Sequence, residues 1–427
     1  MAKDADARPA GSTAQNALLR GPLSLAIACF VVWGFAYGLL DVLNKHVQET
    51  LHVGKAQSTW LQMAYFGAYL LISLPAGLLL QARGYKVGIV SGLMLTAIGA
   101  LLFIPAAQAA SFPAFVASMF VLASGLCVLE TSADTYVNVL GAPEHASRRL
   151  NLAQSFNALG VFFGPLVGGA LFFADKPGVT KAGGDQGAVQ LTYLVVAVAV
   201  VIFAVVVARA RLPELRESGE AIGSDAARAG GPLRRPHFVL GVLTQALYIG
   251  AQVGIGAFFI NLVTETWPGL SSRAGAFMLS IATAGYLVGR FATTGLLLRF
   301  RPRAVLTTYG LINVVLCLVV AAGLERVSAI ALIAVFFFMS TMFATVFTLG
   351  VADLGPATKR GASLMVMAIG GGVLLPYPMG LLAEAYGTPT AFLLPAACFA
   401  VVALYGWRGA AVRPHGGPAL AETLANG

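Results

Sequence analysis

Four ionisable side chains stand inside long apolar stretches of this sequence: Asp41, Glu130, Asp134 and Arg290. A charge stripped of water in such a stretch is expensive, so the residues that remain face a partner or a water-filled space and carry function. Carboxyl groups in that setting can hold and release protons. Glu130, Asp134 and Asn138 follow at i, i+4 and i+8, which puts all three on one face of a helix. Similar polar stripes appear as Gln154 and Asn157, as Gln245, Tyr248 and Gln252, and as Thr283, Tyr286, Arg290 and Thr294. Amides and hydroxyls so placed would give directional hydrogen bonds to a small polar solute, and together the stripes are expected to line one aqueous cavity.

Each of these residues also has a plainer reading. Asp41 can pair with Lys45 one turn on. Asp134 can be a solvated vestibule group, and Arg290 a packing or gating arginine bonded to carbonyls. The amides and tyrosines can be hydrogen-bond glue between helices. Gly160, Gly164 and Gly168 at spacing four, and Gly370 to Gly372 with Pro376 and Pro378, suit close packing and kinking. Glu130 has no cation nearby in sequence and is the strongest functional candidate.

The elements that must hold these residues follow from composition. Of 427 residues, 58% are hydrophobic and 11% charged, with a mean hydropathy of +0.81. That excludes a water-soluble protein, whose charged share is roughly 25%, and makes the bilayer the solvent. A membrane helix needs about 20 apolar residues. Twelve stretches qualify, near 23–44, 57–80, 87–108, 113–140, 150–174, 190–208, 238–264, 274–298, 304–323, 327–352, 362–383 and 389–407. The first run is too long for a signal-peptide core and is read as an uncleaved helix. Cys29, Cys127, Cys317 and Cys398 lie within such runs without metal-like spacing, and His46, His52, His145, His237 and His415 are expected in loops or at helix ends. No metal, cofactor or enzymatic constellation is therefore expected.

The net charge of +9 resides in short loops, which argues against nucleic acid. With the amino terminus placed in the cytoplasm, 20 Lys and Arg fall on that side and six on the other, Arg290 lying within a span. The sequence then divides into a tail (1–22), a first six-helix half (23–208), a linker (209–237), a second half (238–407) and a tail (408–427). The halves echo one another. Leu140-Gly141 matches Leu354-Gly355, Arg148-Arg149 matches Lys359-Arg360, and Gly34 and Gly38 match Gly250 and Gly254. Such duplication places a substrate site at the midplane between halves. The same offsets set Ala344, Thr348 and Ala257 opposite Glu130, Asp134 and Asp41, so only the first half keeps the acids. A requirement of the fold alone would be expected in both.

These residues resemble the fucose permease-like branch of the major facilitator superfamily. The resemblance rests on Trp33-Gly34-Phe35-Ala36 leading to Asp41 and on Leu129-Glu130-Thr131 running to Val139-Leu140-Gly141. It also rests on Arg149-Leu150-Asn151-Leu152-Ala153-Gln154 with Phe156-Asn157, and on Tyr248 to Gln252. It implies an all-α membrane fold of twelve helices in two pseudo-symmetric halves, and symport of a sugar with protons. It further implies that Asp41 and Glu130 are essential acids facing the cavity and that Gln154 and Asn157 lie near the sugar. The chain departs from the family pattern at Tyr37, Gly38 and Leu40, where many members have asparagines. It departs again at Ala133-Asp134-Thr135, where they have Ala-Asn-Pro, and at Gln81, where the superfamily signature has an acid.

The combined expectation is an alternating-access importer of a monosaccharide with protons, acting as a monomer among membrane lipids. Glu130, Asp41 and Asp134 would couple protons; Gln154, Asn157, Gln252, Tyr37 and Asn138 would bind substrate; Arg290 would serve as a gating or structural charge. The rival readings are a proton-coupled exporter and, from another class, a non-transporting solute sensor.

Overall fold

The computed structural model describes residues 11–140, 146–173, 186–212, 232–297, 299–352, 354 and 358–409. Backbone groups in a bilayer have no water to bond, so apolar runs of this length close their hydrogen bonds internally as helices. Among the described residues twelve are long and apolar enough to cross a membrane: α1 (Gly21–Leu51), α2 (Lys55–Arg83), α3 (Tyr85–Gln108), α4 (Phe112–Val137), α5 (Leu152–Phe172), α6 (Gly187–Arg209), α7 (Pro236–Thr266), α8 (Ser272–Leu297), α9 (Pro302–Ala321), α10 (Glu325–Val351), α11 (Leu364–Tyr386) and α12 (Thr388–Arg408). The twelve spans read from hydropathy are all present.

Several differ in detail. The first helix continues to Leu51, so His46 sits inside it rather than in a loop; it is 2% exposed and lies between the rings of Phe172 and Phe173, at 5.2 and 5.9 Å. The chain turns at Ser340 and Thr341 within α10. In α11 the residues Ala368–Val373 tighten into a 3₁₀ segment just before Pro376, which starts the next helical piece. Most of the 209–237 linker and the tail beyond residue 409 lie outside the described residues.

The echoed glycines act as packing devices in both halves. A Cβ at Gly38 would come within 2.6 Å of the Val161 carbonyl and 3.0 Å of Gly164, and Gly34 faces the Asn157 backbone as closely. These contacts set α1 against α5 backbone to backbone. In the second half Gly250 faces the Gly371 carbonyl and the Leu375 side chain, and Gly254 faces the Met379 side chain, so there the glycines seat side chains of α11 against α7. The four cysteines are buried and unpaired.

The halves meet along α1 with α7, α2 with α11 and α5 with α8. Polar links between them gather at the end of the bundle away from the linker, here the far end. Asn44 Nδ2 donates to the Ala257 carbonyl at 2.9 Å, and Asn261 Nδ2 to Gln48 Oε1 at 2.6 Å. Lys55 pairs with Glu265 at 2.7 Å and donates to Thr388 at 2.9 Å, while the Ala56 N–H donates to Glu384 at 2.9 Å. The α2–α11 seam runs from Ala56 on Gly380 through Phe66 on Gly372 to Leu70 on Gly370. Farther along the same face of α2, Leu74 and Leu78 are 73% and 59% exposed. The polar ties across the seam lie at its far end.

Candidate functional site

The interlock of α1 with α5 fixes where Asp41 stands. Its side chain is 8% exposed, beside the amide of Gln62 on α2. Across the seam it rests on Gly256 of α7, where a Cβ would come within 2.5 Å of Oδ2. The pairing with Lys45 does not form: Lys45 bridges to Glu49 at 3.4 Å instead. Asp41 is therefore held between a neutral amide and the backbone of the opposite half.

Glu130 and Asp134 stand one turn apart on α4, both half-buried, with their carboxyls close enough to interact. Tyr69 of α2 faces Glu130, and Gln154 of α5 faces Asp134. Glu130 Oε2 and Asp134 Oδ1 are buried and lack a hydrogen-bond partner. The hydroxyls of Thr131 and Thr135 turn back to backbone carbonyls of Cys127 and Thr131, at 2.8 and 2.7 Å. They leave the acids' needs to other helices. Asn138 continues the stripe by its position in the helix, but its side chain lies outside those described.

Asn157 is half-buried, and its Nδ2 donates to the Phe30 carbonyl at 3.3 Å, so it also helps tie α5 to α1. Tyr37 is half-buried, its ring 5.7 Å from Tyr65 and 6.2 Å from Phe66. Gln252 is half-buried on α7. The rest of the α7 stripe does not line a cavity. Tyr248 is fully buried with its hydroxyl donating to the Met339 carbonyl at 2.8 Å, and Gln245 is fully buried without a partner. The expectation that all four stripes share one aqueous space is corrected accordingly: the α7 stripe is mostly helix–helix packing. On α8 the Arg290 guanidinium lies 5.6 Å from the centre of the Tyr286 ring, and Thr283 bonds back to Ser280. The Thr294 side chain lies outside those described.

Sequence reasoning missed the polar face of α2. Gln62, Tyr65 and Tyr69 follow at i, i+3 and i+7, and they stand beside Asp41 and Glu130. The spacing was readable, but no ionisable residue drew attention to it. It also missed Gly256, whose value lies only in what it touches. Among the described residues no group of three or more His, Cys, Asp or Glu could hold a metal ion.

Residues 25–373 match the family model of the Major Facilitator Superfamily. The chain is 35% identical over 378 residues to a glucose/galactose transporter of Brucella abortus, covering 88% of this chain and 91% of the relative. It is 34% identical over 403 residues to the L-fucose-proton symporter of Escherichia coli K12, covering 90% and 92%. Among solved structures, the transporter FucP in the outward conformation superposes with a TM-score of 0.68 at 33% identity, over 92% of this chain and all of that one. A D-xylose-proton symporter superposes with a TM-score of 0.72 at 11% identity, over 90% and 96%, which speaks for the fold alone.

Proposed function

Since the chain belongs to the Major Facilitator Superfamily, in its fucose permease-like branch, we propose that it is a sugar:proton symporter that imports a monosaccharide by alternating access. The observation that carries this reading is the Glu130–Asp134 pair, flanked by Tyr69 and Gln154 and backed by Asp41 at the seam. A sugar offers hydroxyls that both donate and accept, which amides, phenols and carboxyls can match. Gln154, Asn157, Gln252, Tyr37 and Asn138 are assigned to those hydroxyls, and Arg290 to gating or structural support from the second half.

Glu130 is the main proton carrier on this reading. A carboxyl that must shed hydration crosses a low-dielectric site far more cheaply when neutral. With Asp134 one turn away, two negative charges would repel, so one proton relieves both burial and repulsion. Asp41 links protonation to movement, because it sits where the halves touch. The basic-residue bias assigns the linker end and both termini to the cytoplasm. The polar ties of the seam described above then close it toward the outside. The protein is assigned to the cell membrane as a monomer, with no cofactor.

Uptake of labelled D-glucose, D-galactose and L-fucose into proteoliposomes, with and without an inward proton gradient, tests the reading. Accumulation that depends on the gradient supports it. Sugar-independent proton leak, or gradient-driven efflux of solute only, refutes it in favour of an exporter.

A further inference from the structure

Asp41 on α1 and Glu130 on α4 are assigned to one transport cycle, yet they stand on different helices and have different neighbours. Between them lies the polar face of α2. Gln62 is 0% exposed, and apart from the Asp41 carboxyl beside it no group meets its amide nitrogen or oxygen. A leucine would fill the same volume without burying an amide that only one carboxyl can match. Gln245 is buried likewise within the helix packing; Gln62 differs in having beside it a partner that changes with the cycle. The neighbouring carboxyl is such a partner, since the amide N–H can donate to its ionised form and the amide oxygen can accept from its protonated form.

One turn along the same face, Tyr65 is buried, and its hydroxyl lies 3.5 Å from that of Tyr69. Their rings stack at 5.3 Å. Tyr69 in turn faces Glu130, whose Oε2 is buried without a partner. A phenol has the same two-way ability as the amide: it donates to a carboxylate and accepts from a carboxylic acid. The ring of Tyr37, one turn before Asp41, packs on Tyr65 at 5.7 Å and closes the row against α1. Tyr65 and Tyr69 are joined through their hydroxyls, and Gln62 shares their face one turn earlier without a hydrogen bond to them in this state; such groups, once joined, act as more than a sum of pairs.

We propose that the α2 face carrying Gln62, Tyr65 and Tyr69 is a positioning bridge through which the protonation state of Glu130 sets the hydrogen bonding of Asp41, and the reverse. The bridge rests on the symport reading above. Gln62 and Tyr69 stand beside the acids and none of the three is assigned to the sugar, so they are expected to govern coupling and not binding. A hydrogen bond to a charged group is worth roughly a ten- to hundredfold shift in an equilibrium. Loss of one link should therefore cost proton-driven accumulation on that scale.

The test uses the full chain in proteoliposomes, with an entrapped pH dye and labelled D-galactose and L-fucose. Gln62→Leu, Tyr65→Phe, Tyr69→Phe and the Gln62→Leu/Tyr69→Phe pair are compared with the parent. The phenylalanine variants keep the ring packing, so a failure of Gln62→Leu to fold does not decide the matter. The expected result is a loss of roughly tenfold or more in accumulation and a lower proton-to-sugar ratio, while sugar counterflow without a gradient stays within about twofold of the parent. The double variant should be no worse than the worse single one, as broken links in one chain are not additive. Packing alone would lower accumulation and counterflow together at an unchanged ratio, and that result overturns the bridge. Multiplying losses in the double variant overturn it too. A parent that moves neither sugar with protons removes the symport reading and the bridge with it, whereas a coupled parent with fully coupled variants removes the bridge alone.

Discussion

Adding one methyl group at Gly256 should unlatch the far end. A Cβ there would lie 2.5 Å from Asp41 Oδ2, 3.1 Å from Cγ and 3.3 Å from Oδ1. Non-bonded heavy atoms settle near 3.5–4.0 Å, so something must move by most of an ångström. Asp41 can yield only by turning its carboxyl, since α1 itself is held to α5 at Gly34, Gly38, Gly160 and Gly164 and Gln62 stands beside that carboxyl. What that turn does not take up falls on α7, and with it on the closed seam. Overpacking of this kind costs about 1–3 kcal/mol. That cost is borne only by the closed arrangement, so it shifts the open-to-closed ratio by about five- to 150-fold. The assay places a cysteine at Ala56, which is buried against Gly380 of the other half, in a background where Cys29, Cys127, Cys317 and Cys398 are serine. The labelling rate with an impermeant thiol reagent follows the open fraction. Gly256→Ala should raise it by the factor above, while Gly285→Ala, with nothing within 4 Å of its Cβ, should leave it unchanged. Equal labelling in Gly256→Ala and the parent would refute the seating of Asp41 on α7.

Glu130→Gln should abolish proton-driven accumulation and spare counterflow, since the amide copies the protonated carboxyl but releases no proton; accumulation surviving in that variant would remove Glu130 as carrier. Gln154→Ala should weaken sugar binding by about 1–3 kcal/mol in calorimetry, the cost of an unmet buried hydrogen bond. Asn157→Ala should do the same and also lower thermal stability, because it releases the Phe30 carbonyl; wild-type binding in both variants would void the α5 assignment. Gly164→Leu should cost folding outright, as a Cβ there already meets the Gly38 backbone at 2.5 Å, and normal yield of monodisperse protein would contradict the interlock. Cysteines introduced at Ser224 and Gly183 should be labelled from opposite sides of the membrane, and same-side labelling would refute the cytoplasmic linker.

What the sequence reveals here is periodicity and echo. Twelve apolar runs dictate twelve spans, because lipid leaves the backbone no alternative. The repeated Gly34/Gly38 and Gly250/Gly254 pattern becomes one packing joint in each half. The pairing of Glu130 with Asp134 follows from helix geometry alone. Contacts between helices are another matter. Nothing in the i, i+4 spacing of Asp41 and Lys45 tells that Lys45 will prefer Glu49, or that Asp41 will meet Gly256, 215 residues away in the chain. Tyr248 carries the same kind of stripe as Tyr286, yet one hydroxyl is spent on the Met339 carbonyl inside the packing. The face a residue occupies is local information, whereas the helix it faces is not. The turn at Ser340 and Thr341 escaped for a related reason: hydropathy averages over a window and does not register a local break in the helix.

The glycine joint between α1 and α5 has a thermodynamic consequence. It fastens Asp41 to Gln154 and Asn157 at fixed separations, and α2 and α4 pack in the same half. If a half moves as one body, the sugar meets the same first-half amides and the same acids whichever side is open, with only Gln252 contributed from the other half. Its dissociation constant should then be nearly equal at the two faces, and the carrier has no built-in direction. Net flow would be set by the product of sugar and proton activities on each side. Reversing those gradients in vesicles should run the same molecule backward at a comparable rate.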